Sequence, residues 1–135
     1  MIGRLGISLA AWAFSLAGCS IAPSDLELKA APAIRNYPEN YQEIYRRVST
    51  ALKRCGTTSL NAYASMAADS ELYPDLGYGE VSYSLINWGV RNYYMTAKIE
   101  KLPTGSKITV YAGNSIASDQ AARTVLRWAS GDQGC

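Results

Sequence analysis

The spacing of apolar residues changes period along the chain. Leu5 to Leu16 is a nearly continuous apolar run, broken only by small residues. From Ser20 to Tyr37 no period holds. Pro23, Pro32, several alanines and scattered charges there read as a flexible tether, which would reach roughly 60 Å if fully extended. The alternation of Leu26 and Leu28 offers an edge strand as the alternative. Beyond Pro38, Tyr41, Ile44, Tyr45, Val48, Ala51, Leu52 and Cys55 recur at three- and four-residue spacing, which lines one face of an α-helix. Pro38 suits its first position and Glu39 and Glu43 its positive dipole end. Lys53 and Arg54 suit the last turn, with Gly56 as the stop. The same period returns from about Ala117 to Ser130, where Ala121, Ala122, Val125, Leu126 and Ala129 form the stripe. Ser115 or Ser118 can cap this second helix, Gly131 ends it, and Trp128 lies at the stripe's edge.

Between the helices the period is two. Val81, Tyr83 and Leu85 alternate with Ser82, Ser84 and Ile86; Met95, Ala97 and Ile99 with Thr96, Lys98 and Glu100; Ile108, Val110 and Ala112 with Lys107, Thr109 and Tyr111. Such alternation marks antiparallel strands with one dry face and one wet face. Pro103-Thr104-Gly105 and Asn87-Trp88-Gly89 supply hairpin connections, and residues 59–73 hold a further strand ending before Pro74. The expected fold is an α+β two-layer sandwich over residues 38–135. It has an N-terminal helix, a three- to four-stranded antiparallel meander and a C-terminal helix.

The apolar run at the start is a separate object. Met1-Ile2-Gly3-Arg4 gives a positive start, and the run that follows is shorter than the roughly 20 residues a membrane span needs. Leu16-Ala17-Gly18-Cys19 resembles the lipobox of bacterial lipoproteins. That resemblance implies a signal peptide over residues 1–18, cleavage after Gly18, and Cys19 as the diacylglyceryl-modified first residue of the mature chain. The remaining residues of the tether, 19–37, would then lead to the domain. Ser20 in place of aspartate matches the pattern sorted to the outer membrane, with the domain facing the periplasm. An uncleaved anchor helix with an incidental cysteine is the competing reading.

With Cys19 taken by lipid, Cys55 and Cys135 are the only two thiols left, in an oxidising compartment. We expect them to form a disulfide, worth about 4 kcal/mol on the chain-entropy model. Two independent thiols are the alternative.

Composition narrows the chemistry. The chain of 135 residues contains no histidine, which removes Ser-His-Asp and Cys-His catalysis and most zinc sites. The formal charge is +2, with one unit from Arg4, so no nucleic-acid partner is expected. Gly77-Tyr78-Gly79 and the glycines at 131 and 134 lack nucleotide-loop spacing, and no cofactor is implied. Asp69 and Glu71 would share a face if extended and could hold a hard cation, but they match no calcium loop. We read them as solvated edge charges and expect no metal. Arg46, Arg47, Lys53 and Arg54 make the first helix locally basic. Facing lipid phosphates is one reading; a solvated face with the Glu43–Arg47 pair in favourable order is the simpler one.

The compositional anomaly is ten tyrosines against one phenylalanine, Phe14 of the leader. Tyr41, Tyr45 and Tyr83 should be core. Tyr78, Tyr93, Tyr94 and Tyr111, with Trp88 in a strand connection, are candidates for an exposed aromatic surface for a protein or glycan partner. Cross-strand aromatic pairing that merely stabilises the sheet is the alternative. Tyr94, Tyr111 and Trp88 are the selected binding candidates; no catalytic residue is selected.

The whole chain is similar to small uncharacterised proteobacterial lipoproteins. The resemblance lies in the lipobox, the Pro-containing tether, and Cys55 closing a Tyr-rich helix. It extends to Leu72 to Val81, Ile86 to Tyr94, and the closing Trp128 to Cys135. It implies an envelope location and no particular activity. A lipid-anchored, non-catalytic binding or structural module is expected, with an envelope protein or glycan as partner; the alternative is a small carboxylate-dependent hydrolase of the periplasm.

Overall fold

A computed structural model describes residues 20–135, so the leader run and Cys19 lie outside the described residues. The elements are α1 (Pro23–Lys29), β1 (Ala33–Tyr37), α2 (Tyr41–Gly56), β2 (Thr58–Asn61), β3 (Ala64–Tyr73), β4 (Tyr78–Asn87), β5 (Val90–Lys101), β6 (Ser106–Ala112) and α3 (Ser118–Ala129). The class is α+β, and the sheet has six strands rather than three or four, in the order β1-β6-β5-β4-β3-β2, all neighbours antiparallel.

Both periodic segments form the expected helices. The first starts at Tyr41, not Pro38, because Asn40 caps it: its Oδ1 accepts from the Gln42 N–H at 2.8 Å. Ile44, Val48, Ala51 and Leu52 of α2 and Val125, Trp128 and Ala129 of α3 pack over one sheet face. Beneath them lie Val81, Met95, Ala97, Ile99, Ile108 and Val110. Every one of these side chains comes from a position that the alternation or the helical stripe assigned inward, except Trp128. Its whole ring is buried, and its indole N–H donates to the Gly134 carbonyl at 2.8 Å.

Two departures have clear physical reasons. The stretch expected as one strand from 59 to 73 is a hairpin. Asn61 Oδ1 accepts from the Tyr63 N–H at 2.8 Å, an Asx turn that reverses the chain between β2 and β3. The short β2 pairs only with Ala64 to Met66, so Asp69 and Glu71 farther along β3 stand exposed on the sheet's open edge, as expected.

The residues expected as a tether are elements of the fold. Pro23 opens α1 at its first turn, Asp25 accepts from the Ala22 N–H at 2.8 Å, and Leu26 is buried. The alternation of Leu26 and Leu28 therefore marks a short helix, and the edge strand comes later, as β1 along β6. Tyr37 anchors β1: it is buried, and its O–H donates to the Leu126 carbonyl of α3 at 3.1 Å. The β5–β6 turn passes so close that a Cβ on Gly105, at φ +82°, would meet the Tyr37 carbonyl oxygen at 2.0 Å.

Cys55 at the end of α2 and Cys135 are joined as a disulfide, with Cα atoms 5.5 Å apart. The tail is shaped for it. Arg127 contacts Asp132 and the Gly134 carbonyl, and the Gly134 N–H holds the exposed Asp132 carboxyl below its ordinary value, helped by Arg127.

Candidate functional site

The sheet face away from α2 and α3 is open to water, and register fixes what stands on it. Tyr73, Tyr78, Glu100 and Lys107 form one row across β3 to β6. Glu71, Glu80, Lys98 and Thr109 form the next, followed by Asp69, Ser82, Thr96 and Tyr111. The polar set expected on this face (Thr96, Lys98, Glu100, Lys107, Thr109 and Tyr111) lies together there. Helix α1 overlies one corner, so Pro23, Glu27 and Ile34 of β1 make a wall. The shallow basin so framed has a volume of about 910 Å³.

The charges in the basin are paired in part. Lys98 and Lys107 both reach Glu100, at 3.3 and 3.2 Å. Burial alone would raise the Glu100 carboxyl, but these two ammonium groups outweigh it and hold the group below its usual value. Lys98 also stands over the Tyr78 ring, 4.6 Å from its centre. Arg91 pairs with Asp69. Glu71 and Glu80 face each other across β3 and β4. Glu71 accepts from the Tyr73 hydroxyl at 2.8 Å, and that bond is the main reason the Tyr73 phenol is pushed up to about 12. Glu80 has no ion-pair partner among the described residues. Two like charges directly opposite destabilise a sheet, while Lys98 stands opposite Glu80 on its other side.

Tyr111 lines the basin. Its expected companion Tyr94 is placed differently. The register of β4 with β5 slips between Tyr83 and Ser84, so Tyr83 pairs with Met95, Ser84 pairs with Tyr93, and Tyr94 is the extra residue of a bulge. Tyr93 joins Tyr111 in the basin lining. Tyr94 is half-buried, and its carbonyl accepts from the Gly113 N–H at 3.0 Å. Trp88 is remote from both, at the tip of the β4–β5 hairpin, where its ring stacks on Tyr63. Tyr41, Tyr45 and Tyr83 belong to the core as expected.

Arg46 and Arg47, two of the four basic residues of α2, are tied within the protein. Arg47 donates to Glu43 at 3.1 Å, to Glu39 at 3.2 Å and to the Ala129 carbonyl at 3.1 Å, linking α2 to α3. Arg46 pairs with Glu43. Among the described residues no three acidic or cysteine side chains converge as a metal site.

Sequence reasoning did not place the α1 wall, Glu80 or Tyr63 at the surface sites. For α1 the signal was present: proline followed two residues later by aspartate is a helix-start pattern, hidden by the surrounding alanines. No protein-family model matches this sequence, and no curated protein is similar to it.

Proposed function

We propose that this protein is a lipid-anchored lipoprotein of the outer membrane, held by acylated Cys19 with its domain in the periplasm. On this reading the domain binds a polar envelope component, a protein or a glycan, on the open face of its sheet, without catalysis. The observation that carries the binding role is the basin: a broad polar surface with Tyr93 and Tyr111 among alternating donors and acceptors, walled on one side by α1. Tyrosines of this kind offer large contact area with a polar tip at low entropic cost. The anchor rests on the lipobox-like Leu16-Ala17-Gly18-Cys19. Among the described residues no helix is long and apolar enough to cross a membrane.

Changing both Tyr93 and Tyr111 to serine tests the binding role. The variant should lose most of the envelope partner retained by the wild-type protein, while its melting temperature changes little, because half-exposed positions seldom shift stability by more than about 0.5 kcal/mol. Retained partner with unchanged stability contradicts the reading. Cys19→Ser tests the anchor: it should accumulate as unprocessed precursor, and normal maturation would contradict lipidation.

The opposed Glu71 and Glu80 favour one second reading, a carboxylate-dependent hydrolase working in the same basin. Hydrolysis of an envelope glycan or ester by the purified protein, abolished in Glu80→Gln, would establish it in place of simple binding.

A further inference from the structure

Two neighbouring hairpin tips carry an apolar end that the fold leaves uncovered. Tyr63, in the β2–β3 turn, and Trp88, in the β4–β5 turn, stack with ring centres 4.1 Å apart and planes 5° from parallel. The Trp88 N–H donates to the Tyr63 carbonyl at 3.0 Å, so the two tips form one unit. The stack hides one side of each ring only: Tyr63 remains 59% exposed and Trp88 72%. Leu60 and Val90 beside them are also exposed. No charged residue occurs from Thr57 to Ala68 or from Val81 to Val90.

Ile21, two residues after Cys19, is fixed near these tips. The Ile21 N–H donates to Asn92 Oδ1 and the Ile21 carbonyl accepts from the Tyr93 N–H, both at 3.0 Å. Asn92 and Tyr93 lie two and three residues from Val90, about 7–10 Å along the strand. Two residue steps separate Cys19 from Ile21, a reach of at most about 7 Å. An acyl chain on Cys19 would thus enter the bilayer next to the tips, with no long tether to lift the domain away.

We infer that the Tyr63–Trp88 tip, with Leu60 and Val90, seats in the interfacial layer of the bilayer that holds the protein's own lipid. This inference rests on the lipoprotein reading above. Tryptophan and tyrosine favour that layer, where an apolar ring meets a polar edge, and the lack of charge removes the cost of desolvating ions there. The lipid supplies the first attachment and the tip the second, so together they fix the domain's orientation. Its strands then stand away from the membrane and the open face points sideways into the periplasm. Because the tip is neutral, seating does not depend on anionic lipid or on salt.

The test uses the mature protein, its acylation state read by mass, in vesicles of phosphatidylethanolamine and phosphatidylglycerol whose acyl chains carry bromine near the glycerol end. Trp128 is buried in the core and Trp12 lies in the leader, so emission lost in Trp88→Phe isolates Trp88. That emission should be blue-shifted and strongly quenched by the brominated lipid, equally at low and high salt. In the unacylated domain, residues 20–135 without vesicle attachment, it should be unquenched. An acylated protein whose Trp88 stays unquenched overturns this inference alone. An unacylated Cys19 overturns the lipoprotein reading and this inference with it. Leu60→Ser with Val90→Ser should weaken the quenching while the melting temperature is kept; undiminished quenching would also count against the tip.

Discussion

Ile99 and Ile108 stand opposite each other on β5 and β6, and so do their immediate neighbours Glu100 and Lys107. The first pair is wholly buried beneath the helices; the second is a half-exposed ion pair at 3.2 Å in the basin. One residue of register separates them. On the covered face each side chain contributes through the area it removes from water, about 25 cal/mol per Å². On the open face an ion pair contributes about 0–1 kcal/mol. The same strands therefore hold the fold with one set of residues and leave the other set free to vary with what they meet.

That contrast can be broken most directly at adjacent positions. Ile108→Ala should cost about 2–5 kcal/mol in urea unfolding, whereas Thr109→Ala should stay within about 0.5 kcal/mol. Comparable losses would mean that the open face is structural too. The disulfide closes the covered side, so Cys135→Ser should cost about 2–5 kcal/mol, seen as a lower melting temperature that reductant no longer affects.

On the open face effects should be smaller and should depend on pH. The Glu100 carboxyl lies below its ordinary value in the folded protein. Its contribution is therefore present at neutral pH and is lost as pH falls below the ordinary glutamate range, near 4.3, through the lowered folded value. Glu100→Gln should cost up to about 1 kcal/mol at pH 7, and the gap should close on acidification. A gap that widens in acid would contradict a Glu100 carboxyl held below its ordinary value. Smallest of all, Glu80→Gln should stabilise by a few tenths of a kcal/mol, roughly the repulsion of a like-charged cross-strand pair. A loss of stability would mean that attraction to Lys98, opposite Glu80 on β5, outweighs the repulsion from Glu71.

The covered face was legible in the sequence because burial imposes period: strands alternate by two, helices by three and four, and those positions are the core. Strand count was less legible. The turn at Asn61 interrupts no alternation strong enough to mark it, and β1 is an edge strand whose middle residues are exposed. The bulge at Tyr94 was invisible because an extra residue changes register without changing composition. It exchanges one tyrosine for its neighbour in the basin. The opposed Glu71 and Glu80 belong to different strands, so their meeting depends on a turn length that Pro74 to Gly77 suggests but does not specify.

The binding role requires that the open face meet a partner in the cell. A photo-crosslinking residue at Thr96, in the centre of that face, can be compared with one at Thr50, exposed on the outer side of α2. In intact cells Thr96 should give discrete adducts with an envelope component and Thr50 should give none. The same adducts from both positions, or none from Thr96, would contradict a binding role for this face.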